Sequence, residues 1–272
     1  MKITLPRLLV LTSIMLLTAC ATAPQMQIAP SVSPLPPHSI GLAPGVEKGL
    51  NNNTHYLDDK NSITYVQNFG GGGLALGLLG PFGVAANVAM IAKNTENDVE
   101  LLKGKILLDP RVIFSEVLSE HPTLGTKTTT DKSVRLSGFL NVVKQEGEKL
   151  FFGCTVLVDY RPLGTNWVGR YVYQLPLEYT KAEVAEGLST DRLNTLTAQV
   201  REGFRTLAKL YLDDASGNLV SKRDIKFKST FVLPRFDFEL IGQELPSEDQ
   251  KVNIRSVGAV YSLPKNYIQI VN

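Results

Sequence analysis

The sequence predicts an α+β fold: an antiparallel β-meander with a long helix packed on one face, preceded by a Gly-rich loop and two helices. Three observations predict it. Residues 134–143, 150–160 and 167–179 are apolar-rich runs separated by short polar turns carrying Gly147 and Gly164, as consecutive antiparallel strands require. Leu193, Leu196, Val200, Leu207 and Tyr211 recur at three- and four-residue spacing, which gives one helix an apolar stripe. Ahead of both, Gly70, Gly71, Gly72, Gly73, Gly77, Gly80 and Gly83 crowd an almost wholly apolar stretch.

Taken in order, residues 62–69 read as a strand that leads into the glycines. Pro81 suits the first turn of a helix, and Val84, Val88 and Ile91 carry that helix into the polar residues 94–103, until Gly104 stops it. Asp109-Pro110 is an N-cap and first-turn pair, followed by the stripe Ile113, Phe114, Val117 and Leu118 before His121-Pro122. In the third strand of the meander Trp167, Tyr171, Tyr173, Leu175, Leu177 and Tyr179 share one face, and Arg170, Gln174 and Glu178 share the other. The aromatic face is the one to bury. Thr180-x-x-Glu183 has the form of a capping box, and Ser189-Thr190-Asp191 starts the long helix. The tail returns to strands, with Ile225, Phe227 and Phe231 and then Phe236, Phe238 and Leu240 alternating with charged residues. A final strand pair over 256–262 and 267–271 is expected around Pro264-Lys265-Asn266.

The chain opens with Lys2 and Arg7, an uncharged apolar run over 8–17, and then Leu17-Thr18-Ala19-Cys20. That order resembles a bacterial lipoprotein signal peptide ending in a lipobox. The apolar run is about half of the roughly 20 residues a membrane-spanning helix needs, and small Thr18 and Ala19 admit a peptidase. The resemblance implies that residues 1–19 are removed and that Cys20 becomes the first residue. Its thiol and amine then carry several fatty chains, palmitate among them, where one chain alone would hold only marginally. Ala21 stands where lipoproteins retained in the inner membrane commonly carry Asp, which implies sorting to the outer membrane with the domain facing the periplasm. The resemblance covers the export segment alone.

Residues 21–46 contain no Asp, Glu, Lys or Arg, and Pro24, Pro30, Pro34, Pro36, Pro37 and Pro44 interrupt helix and ladder alike. Residues 20–55 therefore read as a lipidated Cys and a Pro-rich tether, able to hold the next domain several tens of ångströms from the lipid at about 3.1 Å per residue. Residues 56–272 read as a single α+β domain with its own core.

Composition narrows the chemistry. Of 28 basic residues, Lys2 and Arg7 leave with the signal, so 26 face 26 acidic ones, and no basic block interleaved with aromatics points to nucleic acid. Lys222, Arg223, Lys226 and Lys228 read as the solvated side of a strand. With Cys20 acylated, Cys154 is the last thiol, and Phe152, Val156 and Val158 continue its apolar face, so it reads as a buried hydrophobe. Gly71-x-Gly73-x-x-x-Gly77 departs from the dinucleotide-binding spacing, and no βαβ alternation surrounds it, so no cofactor is expected. Burial of the Gly-rich stretch against the meander is one reading of it, and a membrane-apposed or oligomer-forming segment is the other. Ser262-Leu-Pro-Lys265 matches S-x-x-K only where Pro264 turns the chain. His38, His55 and His121 are scattered without metal-ligand spacing, and Asp213 to Asn218 lacks the acids of a calcium loop.

Two function classes follow. One is a non-enzymatic envelope lipoprotein for assembly, tethering or transport, held by membrane lipid through Cys20 and binding an envelope protein partner or a second copy of itself. The alternative is an envelope hydrolase whose groups meet only in three dimensions.

Overall fold

The computed structural model of the chain describes residues 25–41, 55–67, 80–124, 132–233, 238–248 and 250–271, with backbone alone over 80–88. The described residues form a mixed α and β domain with a large, mostly antiparallel sheet. Its strands are β1 His38–Ile40, β2 His55–Tyr56, β3 Ile63–Val66, β4 Val134–Lys144, β5 Lys149–Asp159, β6 Val168–Thr180, β7 Arg223–Lys228, β8 Leu240–Leu245, β9 Lys251–Arg255, β10 Val260–Pro264 and β11 Gln269–Val271. Helices α1 Gly80–Leu102, α2 Pro110–Ser119, α3 Lys181–Glu186 and α4 Thr190–Ala215 accompany them. The strand order is β11-β7-β8-β9-β10-β6-β5-β4-β3-β2. On its outer edge β4 carries two short parallel partners, β1 along its first half and β3 along its second.

The meander β4-β5-β6 is the centre of the sheet, with Leu140 opposite Cys154 and Cys154 opposite Tyr173. Gly147 (φ 70°) and Gly164 (φ 86°) make its turns in the left-handed region that side chains avoid. Pro176 has no N–H for the ladder, and β6 responds with a bulge: Phe151 lies opposite Glu178, but Gly153 lies opposite Gln174. The helix starts follow the sequence signals. Asp109 accepts from the backbone N–H groups of Arg111 and Val112, Thr180 and Glu183 cap each other reciprocally, and Ser189 accepts from the Arg192 N–H. The α4 stripe of Leu196, Val200, Phe204, Leu207 and Tyr211 is buried. At Gly203 the helix comes so near the sheet that a Cβ would stand 2.8 Å from Cys154 Sγ.

The sequence reading needs correction at several places. Residues 25–41 are part of the domain instead of a free tether. The Gln27 N–H donates to Ser256 O (2.9 Å), its side chain brackets the Arg170 backbone at 3.0 and 2.8 Å, and His38 enters β1 almost fully buried. A segment without charges loses little on desolvation, so lying on the domain costs it less than its prolines suggest. The expected hairpin of the last two strands does not form. Both edges of β10 are taken, by β9 and in parallel by β6, so β11 crosses to the open edge of β7. The third departure is at Phe238, which is 62% exposed ahead of β8, while Phe236 lies outside the described residues. Strand β9 also arises where no strand was read.

The second face of the meander is covered too. The sheet curls so that Ile225, Phe227, Phe231, Val252 and Leu263 close over Val143, Phe151 and Val172, and Gln174 is fully buried. Phe231 fits because Gly153 has no Cβ: one would stand 2.4 Å from its ring.

A buried polar network crosses the helix-bearing face. Asp214 Oδ1 accepts from Arg255 Nη2 at 2.5 Å, Asp214 Oδ2 accepts from the Tyr171 hydroxyl at 2.7 Å, and Arg255 also donates to Leu219 O. The Ala29 N–H reaches the same carboxylate at 3.4 Å. Beside it, His38 Nε2 lies 2.7 Å from the Tyr211 hydroxyl, which lies 3.1 Å from that of Tyr160. Burial and the Asp214 charge hold Tyr171 well above the usual phenol range.

Asp214→Ala strands a buried guanidinium, so it should cost about 3 to 5 kcal/mol in urea denaturation. Paired Asp214→Leu and Arg255→Met should cost less than the single change. Burial lowers the His38 imidazole from its ordinary 6.5 to about 4. The unfolded chain therefore takes up a proton that the folded chain refuses, and stability complete above about 6.5 is lost as pH falls to about 4. A melting-temperature series across that window should be flatter for His38→Gln than for wild type.

Candidate functional site

A cleft of about 790 Å³ opens between α4 and the strands β9 and β10, with the end of α2 on its rim. Strand register assembles its floor. Ser262 lies opposite Asn253 on one side and Tyr173 on the other, so three side chains remote in sequence point the same way. Lys251, two residues before Asn253 on the same face of β9, places its ammonium 4.2 Å from the centroid of the Tyr173 ring. Leu210, Leu219 and Pro246 give the walls an apolar share.

The floor holds unused hydrogen-bonding capacity. Ser262 is fully buried, and among the described residues its hydroxyl has no partner. Asn253 is 8% exposed, donates to Pro246 O at 2.7 Å, and leaves Oδ1 without a partner among the same residues. A buried polar group destabilises a fold when it is left without a hydrogen bond. Desolvation lowers the Lys251 pKa, against the pull of Glu202 and Glu248. At the rim Arg205 is paired with Glu120 (2.8 and 3.0 Å) and Lys209 with Asp213 (2.6 Å), and His121 stands beside them. The arrangement suits a ligand group that both donates and accepts, such as an amide, laid on a cation and an aromatic ring.

A second ionic cluster closes the other end of the meander and has no spare valence. Lys144 bonds Asp98 (2.7 Å) and Glu148 (2.9 Å), Lys181 bonds the same two acids, and the Tyr65 hydroxyl donates to Asp98 at 2.9 Å. Burial opposes ionisation of Asp98, but bonds from Lys144, Lys181 and Tyr65 outweigh it and hold the carboxyl below its usual range. This cluster fastens α1 and α3 to the sheet.

The residues singled out in sequence are dispersed. Cys20, Gly70, Gly71, Gly72, Gly73 and Gly77 lie outside the described residues, and Gly80 and Gly83 fall in the first turn of α1. Ser262 is on β10 and Lys265 in an exposed turn, so the S-x-x-K pair is not one helical turn apart. Cys154 is buried under α4, and burial pushes its thiol far up. Asp213 to Asn218 ends α4, with Gly217 at φ 73°. His55 lies in β2, and only His121 reaches the cleft. Among the described residues no group of three or more His, Cys, Asp or Glu is placed to hold a metal ion, and no helix is long and apolar enough to cross a membrane. Sequence reasoning missed Lys251 and Asn253 and saw Ser262 only as a chance match, because the parallel β6–β10 pairing that gathers them has no local signal.

The chain matches no protein-family model, no curated protein and no solved structure.

A hydroxyl kept for a ligand contributes nothing to the fold. Ser262→Ala should leave the melting temperature unchanged or raise it. A loss equivalent to about 1 kcal/mol, the ordinary worth of a satisfied hydrogen bond, would return Ser262 to the structural framework.

Proposed function

We propose that the protein is an outer-membrane lipoprotein, anchored through acylated Cys20 and facing the periplasm, that works as a non-enzymatic envelope assembly, tethering or transport-accessory module. The cleft floored by Lys251, Asn253 and Ser262 is its recognition site for another envelope component. The observation that carries the binding reading is that Ser262 Oγ and Asn253 Oδ1, both buried and without a partner among the described residues, line one cleft. Binding supplies the partners that folding leaves out. Anchoring rests on the order of Lys2, Arg7, the apolar run and Leu17-Thr18-Ala19-Cys20.

Metabolic labelling with an alkyne analogue of palmitate should mark the wild type and not Cys20→Ser, and label surviving in the variant would sink the anchoring. For the site, a photo-crosslinking residue at Thr206, on the cleft wall, should trap one defined envelope component in membranes. The same residue at exposed Asp191 on α4 should trap none. Equal capture at both positions would refute the cleft.

A further inference from the structure

We infer that the end of the domain around Gln27, Val257 and Ile241 rests against the lipid surface; this follows from the anchoring read at Cys20. Gln27 stands seven positions after Cys20. At roughly 3.5 Å per extended residue, the folded domain therefore begins within about 25 Å of the acylated sulfur. Gln27 is also fixed in orientation. Its N–H donates to Ser256 O, and its side chain donates to Arg170 O and accepts from the Arg170 N–H. Hence the chain leaves the domain toward the lipid from one determined place.

Exposed apolar side chains gather at that place. Ile28 is 56% exposed and follows Gln27 directly. Val257 is 48% exposed in the turn that the Ser256 N–H closes on Ala259 O. Ile241 is 53% exposed, and its carbonyl accepts from the Ser256 hydroxyl. Val220 is 67% exposed, one residue beyond the Leu219 carbonyl that Arg255 holds. The opposite end of the meander carries a charged turn. The β4–β5 turn is Gln-Glu-Gly-Glu-Lys over 145–149, its Glu146 is exposed, and it stands one length of β4 away, about 35 Å. Single apolar side chains ringing a lipid-linked entry point suit shallow contact with the headgroup boundary, and a charged turn suits water.

The test uses the acylated full chain in vesicles of phosphatidylethanolamine and phosphatidylglycerol, with an environment-sensitive fluorophore at Val257→Cys or at Glu146→Cys; buried Cys154 does not compete for label. A nitroxide on the lipid headgroup should quench the Val257 probe at least twofold more than the Glu146 probe. Equal quenching at the two positions, stronger quenching at Glu146, or none at either overturns the orientation. The mass of the N-terminal peptide from the same sample reports acylation. An acylated protein with an unquenched Val257 probe defeats this inference and leaves the anchoring standing. An unacylated Cys20 defeats both.

Discussion

The buried Asp214–Arg255 pair is the constraint on which the helix-bearing side of the molecule depends. Asp214 comes from the last turn of α4 and Arg255 from the end of β9, and Tyr171 of β6 and the backbone of Ala29 share the same carboxylate. One anion thus ties the long helix, the C-terminal strands, the meander and the N-terminal segment. Two charges taken out of water are stable together only where further hydrogen bonds offset the desolvation, and here tyrosine, a backbone N–H and the Leu219 carbonyl supply them, while Arg255 Nε has no partner among the described residues. Together with the close approach at Gly203 and the pairs Arg201–Glu116 and Arg205–Glu120, the carboxylate fixes where α4 lies.

Most local structure was legible because it is written in local chemistry. Asp109, Thr180 and Ser189 cap the helices they precede, Gly147 and Gly164 turn the strands they separate, and the α4 stripe is buried as its spacing requires. What was not legible is pairing between distant segments. Nothing in Val260 to Pro264 announces a parallel partner in β6. Nothing in the Pro-rich start announces that Gln27 matches the Arg170 backbone. The alternation of β6 was read with one buried face, yet Val172 and Gln174 are buried on the other because the C-terminal strands curl over it.

The cleft was illegible for the same reason. Lys251, Asn253 and Ser262 are unremarkable on their strands, and only register makes them neighbours of Tyr173. Asn253 and Ser262 share a deficit, hydrogen-bonding capacity left over among the described residues, and a deficit becomes visible only when the distant strands are in place. The Asp98–Lys144–Lys181–Glu148 cluster makes the contrast, since there each charge has found its opposite. Charge density by itself did not separate a clamp from a site.

The parallel pairing of β3 with the second half of β4 has a directional consequence. Val66, the last residue of β3, lies opposite Val143, whereas His38 of β1 lies opposite Val134 at the start of the same strand. Val66 therefore stands at the pole opposite Gln27, with the length of the meander between them. The two short parallel partners of β4 thus load it from opposite ends, and the sheet is braced at both.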